Sequence, residues 1–398
     1  MSTLSVQKFR MNLSTKVALM VVVAVGAVSL NLTFNEDPHK GWTSYLLGTT
    51  LFLGLGLCGL FFTAIQHMVS AKWSTNVRRV MEAMAMTLPI AALLAIGIWK
   101  GVHHLYEWSH AEAIAHDPIL QGKSAFLSEG FFGKRLVIYF VIWILTMIFL
   151  VRNSLKQDAS GDEKYTLRNR KGAALCLIGF ALSVSMAGFD LLMSLEPHWF
   201  STMFGIHFFA AFFQSGLAMM IIFAWMAYRQ GALREYINAD HFYELGKFLF
   251  GFSVFWGYIA FSEFLLIWYA NLPEETFFYI QRMNNGWDCL GLAVLVARLF
   301  FPLLVILPYG NKRNFKVLIP TCFVILLGHF LEMFWIIKPS MRLMTNAESI
   351  TMALTWKDFG VGFGFFALFA LCASFIMERI KLVPVGDPFV GASTHHHV

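Results

Sequence analysis

Cysteine is scarce in this chain: five in 398 residues, at Cys58, Cys176, Cys289, Cys322 and Cys372, each isolated within an apolar run, with no C-x-x-C and no C-x-x-C-H. Such spacing supplies neither the thiolate set of an iron–sulfur cluster nor the attachment site of a c-type haem. Charge is sparse as well, at 14% of residues. The net charge of +6 is not gathered into a tract that would bind nucleic acid; the cations fall in short turns between apolar runs. The glycine-rich "GVGFGFF" (360–366) has no strand before it and no lysine beside it, so it is not a phosphate-binding loop. Close helix packing is the expected reason for those glycines.

What the chain has in excess is apolar surface. With 58% hydrophobic and 16% aromatic residues, and a mean hydropathy of +0.62, it carries more than a soluble core of this size can bury. Lipid offers no hydrogen-bond partners, so each segment must satisfy its own backbone, and runs of about 18–25 residues do so as helices. The reading is an all-α integral membrane protein with ten spans: 17–33, 43–69, 80–99, 136–152, 172–195, 201–228, 247–271, 286–308, 316–338 and 357–378. The basic "KFRMNLSTK" before the first span lacks a cleavage pattern after it, so that span is expected to stay. Two thirds of the 30 Lys and Arg residues fall in the termini and the even-numbered turns, which puts both termini in the cytoplasm. The charged stretch 152–171 reads as a flexible cytoplasmic linker, and 381–398 as a flexible tail whose histidines carry no role.

Ionisable groups inside these spans need a reason, because a charge near the centre of a span costs about 2.5–3.5 kcal/mol on insertion scales. Asp190, His207, Glu263, Asp288 and Glu332 lie on five consecutive spans at one level in the outer half. They are expected to face each other, water or a ligand. His329 joins Glu332 on one helix face, as Ser183 joins Asp190 and Gln214 joins His207. Nearer the cytoplasm, His67 shares a face with Thr63, and Glu82 starts the third span. These two are candidates for the inner end of a proton route. The bland alternative is interhelical hydrogen bonding, with a buried acid meeting Arg298, which lies inside the eighth span.

Carboxylates and a histidine near the outer face suit the oxidation of a quinol, whose two protons need acceptors as two electrons leave. A haem b reading is weak, because His67, His207 and His329 sit at different depths. In "YANLPEETFFYIQRMNNGW" (269–287), Pro273 followed by Glu274 and Glu275 predicts a short amphipathic helix on the outer surface, a lid or docking shelf. In "EPHW" (196–199), Pro197 ends the fifth span, Trp199 is expected in the aromatic belt, and Glu196 and His198 in a wet loop. His103, His104, His110 and His116 fit no common metal spacing, and their loop reads as a partner-binding surface.

"DLLMSLEPHWFSTMFGIHFF", "WGYIAFSEFLLIWYANLPEET" and the ten-span plan resemble the polysulfide-reductase/NrfD family of membrane subunits. Within it, the chain is most similar to the shorter class of NrfD-like subunits in alternative complex III, a bacterial quinol:electron acceptor oxidoreductase. The resemblance covers nearly the whole chain. It implies two four-helix bundles, spans two to five (34–152 and 172–195) and six to nine (201–338), flanked by spans one and ten. It also implies the bacterial cytoplasmic membrane, menaquinol or ubiquinol as substrate, and no cofactor held by this chain alone. The implied partners are a larger NrfD-like paralogue holding the quinol site, an iron–sulfur/molybdopterin-like periplasmic subunit and c-type cytochromes. This chain would then offer a proton path through Asp190, Glu263 and Glu332, helped by His207 and His329. Glu263 departs from the family, which often has Gln there. Two other roles stay open: a quinone-binding anchor for a molybdenum-type oxidoreductase, and a secondary transporter, whose helices should break near mid-membrane.

Overall fold

A computed structural model describes residues 7–345 and 349–398. Every regular element among them is helical, and ten helices are long and apolar enough to cross a membrane. They are α1 (Leu13–Glu36), α2 (Pro38–Met68), α3 (Lys72–Lys100), α4 (Glu129–Ser160), α5 (Lys164–Leu191), α6 (Phe204–Arg229), α7 (Ala239–Ala270), α8 (Trp287–Ile306), α9 (Phe315–Ile337) and α10 (Trp356–Met377). Each covers one of the ten spans expected from hydropathy, and the protein is an all-α integral membrane protein. The Met11 amide donates to Glu378 Oε1 at 2.8 Å, just past the end of α10, so the start of α1 and the end of α10 lie on one face. That face is called the terminal face below, and the opposite one the far face.

Local chemistry sets the helix ends. Asp37 caps α2 by accepting from the His39 amide at 2.8 Å, with Pro38 at the first helical position, where its missing N–H costs nothing. Asn238 and His241 form a reciprocal capping box on α7. In α3 the helix breaks between Ala85 and Leu88, because Pro89 has no N–H to return to the Ala85 carbonyl. Thr87 Oγ1 donates to the Met84 carbonyl at 2.7 Å and holds the turn.

α2 packs on α3, α4 and α5, and α6 packs on α7 and α9, with α9 against α8. The two groups meet where α6 lies on α2 and α5, while α1 and α10 pack against each other and α10 also touches α2. α2 and α6 are buried nearly all round, as helices apolar on every face must be. The α1–α10 contact depends on glycine. A Cβ on Gly26 would lie 2.7 Å from the Gly364 Cα, so the "GVGFGFF" glycines do serve close helix packing.

Two expectations fail. The stretch 152–171 is not a flexible linker: α4 runs to Ser160, α5 starts at Lys164, and Gly161 makes the turn at φ +65°. Lys, Gln and Ala continue a helix at little cost, and only the left-handed glycine stops it. Nor is 381–398 a loose tail. Leu382 and Val383 are buried, and Asp387 takes Arg78 NH2 at 2.7 Å. Ser393 Oγ donates to the Trp73 carbonyl at 2.7 Å, and Asn238 Nδ2 donates to the His396 carbonyl at 2.9 Å. The tail lies across both helix groups because buried Arg78 needs an acid that its own helix supplies only at 3.4 Å, from Glu82. Asp387→Asn is therefore expected to destabilise the fold by about 1–3 kcal/mol, read as a lower unfolding temperature in detergent.

Candidate functional site

α6 enters the membrane from the far face, whereas α7 and α9 run toward that face. A residue one turn into α6 thus meets residues near the ends of the other two, and His207, Glu263 and Glu332 come together as their common level in the sequence predicts. His207 Nδ1 lies 2.7 Å from Glu263 Oε2, and its Nε2 lies 3.0 Å from Glu332 Oε1. Trp256 Nε1 donates to the same Glu332 oxygen at 2.7 Å. Ser201 Oγ, in the partly exposed loop before α6, donates to Glu263 Oε1 at 2.6 Å. Glu332, His207, Glu263 and Ser201 thus form a continuous hydrogen-bonded series from the bundle interior to the far face. An imidazole between two carboxylates can take a proton on one nitrogen and release one from the other.

This series opens onto a cavity of about 350 Å³ between α7, α8 and the amphipathic helix Pro273–Arg282. His207 and Glu332 form its polar end, and Trp256, Ala260, Phe264, Leu292, Leu295 and Trp335 are among its other walls. Phe261 and Leu292, which line it too, are more than half exposed on the outside of the bundle. That outside is lipid in a protein of this class, so the cavity borders the bilayer.

The amphipathic helix, expected as a lid or shelf, forms the far-face wall of the cavity through Tyr279 and Arg282. Arg282 donates to the backbone carbonyls of Phe278, Trp335 and Ile336 and to Ser340 Oγ, with its guanidinium 3.5 Å from the Phe278 ring centre. Burial lowers its pKa to about 10, partly offset by Glu196, so it stays charged at neutral pH. Burial, with the Glu263 carboxylate adding to it, raises the Tyr279 phenol well above its ordinary value. It therefore remains a neutral hydroxyl, able to donate into the cavity.

The remaining sequence candidates lie elsewhere. Asp190 does not join His207; Arg135 clamps it with two bonds of 2.8 Å, and Tyr139 donates to it at 2.7 Å. Arg135 stands just past the loop on α4, and counted as a loop cation it gives no hint of this pairing. Asp288 is exposed at the cavity rim, in the first turn of α8. His329 sits behind Glu332, with Nδ1 3.1 Å from Arg298 NH1 and 3.5 Å from Glu332 Oε2. Near the terminal face, His67 Nε2 is 3.3 Å from Asn169 Nδ2. Glu82 is enclosed by Arg79 at 2.9 Å, Arg78 and the Ser154 hydroxyl.

The "EPHW" expectation is corrected. Glu196 is buried and accepts from Arg342 at 2.9 Å, and His198 pairs with Asp117. Trp199 is not at a lipid belt; it is buried and stacked on Phe278 at 3.8 Å, which folds the loop beneath the amphipathic helix. Trp256, Ser201 and Arg135 are the contributors that sequence reasoning missed. Ser201, six residues before His207, had no distinguishing signal.

No protein-family model matches the chain, and no curated protein matches it either. The fold and the site together define a multi-pass helical membrane protein with a lipid-bordering apolar cavity that ends in a carboxylate–histidine series.

Proposed function

We propose that this chain is a membrane subunit of a quinol-oxidising respiratory complex of the bacterial cytoplasmic membrane, and that its cavity receives the ring of a lipid-soluble quinol. One observation carries the reading: an apolar, bilayer-bordering cavity whose buried polar end, His207 and Glu332, is already hydrogen-bonded toward the far face, with Asp288 at its exposed rim. Its volume is at the small end for ligand sites, which suits a single substituted ring with its isoprenoid tail in lipid. The two quinol hydroxyls would in turn lose their protons to Glu332 Oε1 or His207, and Glu263 and Ser201 would pass both protons outward. The two electrons leave to iron–sulfur and haem centres on partner subunits. The likeness to the NrfD-like subunits of alternative complex III supports a proton path through this chain, with Asp190 recast as a structural acid; quinol binding here rests on the cavity alone, since the likeness assigns the quinol site to the larger paralogue. An anchor for a molybdenum-type oxidoreductase would use the same cavity, and the copurifying chains separate the two.

The test is binding of a short-chain quinone to the purified full-length chain in lipid nanodiscs. Ala260→Trp fills the cavity from α7 and replaces no residue of the polar series. It is expected to weaken binding at least tenfold, equivalent to about 1.4 kcal/mol. Unchanged binding in this variant would remove the cavity from the account.

A further inference from the structure

Arg298 is a fully buried cation inside α8, and the relay does not itself need it. The regular turn of α8 widens to π geometry over Val296–Phe300, a local change found often at functional sites. Pro302 has no N–H for the Arg298 carbonyl four residues back, and that carbonyl accepts from Gln214 Nε2 at 2.8 Å. The Arg298 side chain is fully buried and lies over the Trp256 ring at 4.7 Å. Its Nε and NH2 donate to Gln214 Oε1 at 2.9 and 2.7 Å, and NH2 also donates to the Ala211 carbonyl at 2.6 Å. NH1 is in a direct ion pair with Glu332 Oε2. The two oxygens of Glu332 are thus divided: Oε2 faces Arg298 and His329, and Oε1 faces the cavity-lining His207 and Trp256.

Toward the terminal face the polar groups thin out: His329 Nδ1 lies 3.1 Å from Arg298 NH1, and Thr321 Oγ1 is spent on the Val317 carbonyl at 2.9 Å. Gln214 Nε2 also donates to Ser253 Oγ at 2.8 Å, and Ser253 Oγ donates to the Leu249 carbonyl at 2.8 Å. Beyond them the buried residues of these helices include Leu217, Ile221, Leu245 and Leu318. A fixed positive charge backed by an apolar layer opposes the passage of a proton in that direction. Resting on the quinol reading of the cavity, we infer that Arg298 is a positioning residue. It holds Glu332 as a carboxylate with Oε1 turned to the cavity, and it leaves the relay one outlet, through His207, Glu263 and Ser201 to the far face.

The test uses the native assembly carrying full-length variants, assayed with duroquinol and its electron acceptor. Arg298→Gln is expected to lower kcat about 100-fold, the scale of a lost proton acceptor. KM should stay within about twofold, because the apolar walls are unchanged. Arg298→Lys should recover part of the loss, and Arg298→Gln combined with Glu332→Gln should be no slower than Glu332→Gln alone. If Arg298→Gln does not assemble, Gln214→Leu keeps the ion pair but removes its anchor, and the same split of kcat from KM is expected. Unchanged kcat in the single variant, or losses that multiply in the double, would overturn the positioning role. Failure of the quinol reading is distinguishable: Ala260→Trp would then leave quinone binding intact.

Discussion

Glu332→Gln in the native assembly is expected to lower quinol turnover by about two orders of magnitude, while binding of a quinone stays near the wild-type level. The amide keeps the shape of the carboxylate but cannot accept the proton that a hydroxyl in the cavity gives up, and general-base groups contribute about 10²–10⁴-fold. His207→Asn should act on the same step, since His207 Nε2 shares the Glu332 oxygen at 3.0 Å. The two losses should not multiply, because both residues serve one transfer. Turnover within a few-fold of wild type in both variants would mean that the cavity is not where the substrate loses its protons.

The second large effect falls on the fold. Arg135→Ala leaves Asp190, which has no exposed surface, without its cation; removing one partner of a buried pair costs about 3–5 kcal/mol. The expected result is a sharp fall in the amount of assembled protein and in its unfolding temperature. Asp190→Asn, which keeps the Tyr139 contact in altered form, should be milder and should leave quinone affinity unchanged. Asp190 and His207 looked equivalent in the sequence, and these measurements separate them.

That contrast shows what was legible beforehand. The ten helices were readable because lipid makes hydrophobic length the deciding variable, and every span was found at its expected place. Levels in the membrane were readable too: His207, Glu263 and Glu332 meet because alternating helix direction converts position along each span into depth. Rotation about each helix axis was not. α5 turns Asp190 toward Arg135 on α4 rather than toward α6, and hydropathy holds no record of which neighbour a helix face meets. The π turn that aims Arg298 inward was also hidden, although Pro302 four residues later marks a place where regular bonding must fail.

Charged stretches misled in a different way. The run 152–171 and the tail 381–398 look solvated by composition, yet one is a helical hairpin and the other is pinned to Arg78 and Trp73. Polar sequence near a membrane surface excludes burial in lipid; it does not exclude order. The "EPHW" loop carries the same lesson, since Glu196 is buried by its pairing with Arg342.

The most direct measurement for the central claim is photolabelling of the full-length chain in native membranes with an azido-quinone, followed by peptide mapping. Label is expected on the cavity walls, in 260–264 of α7 and 291–295 of α8, and is expected to be lost when an unmodified quinone competes and when Ala260 is replaced by Trp. Label confined to other helices, or label at these walls that neither competitor nor Ala260→Trp removes, would contradict that claim.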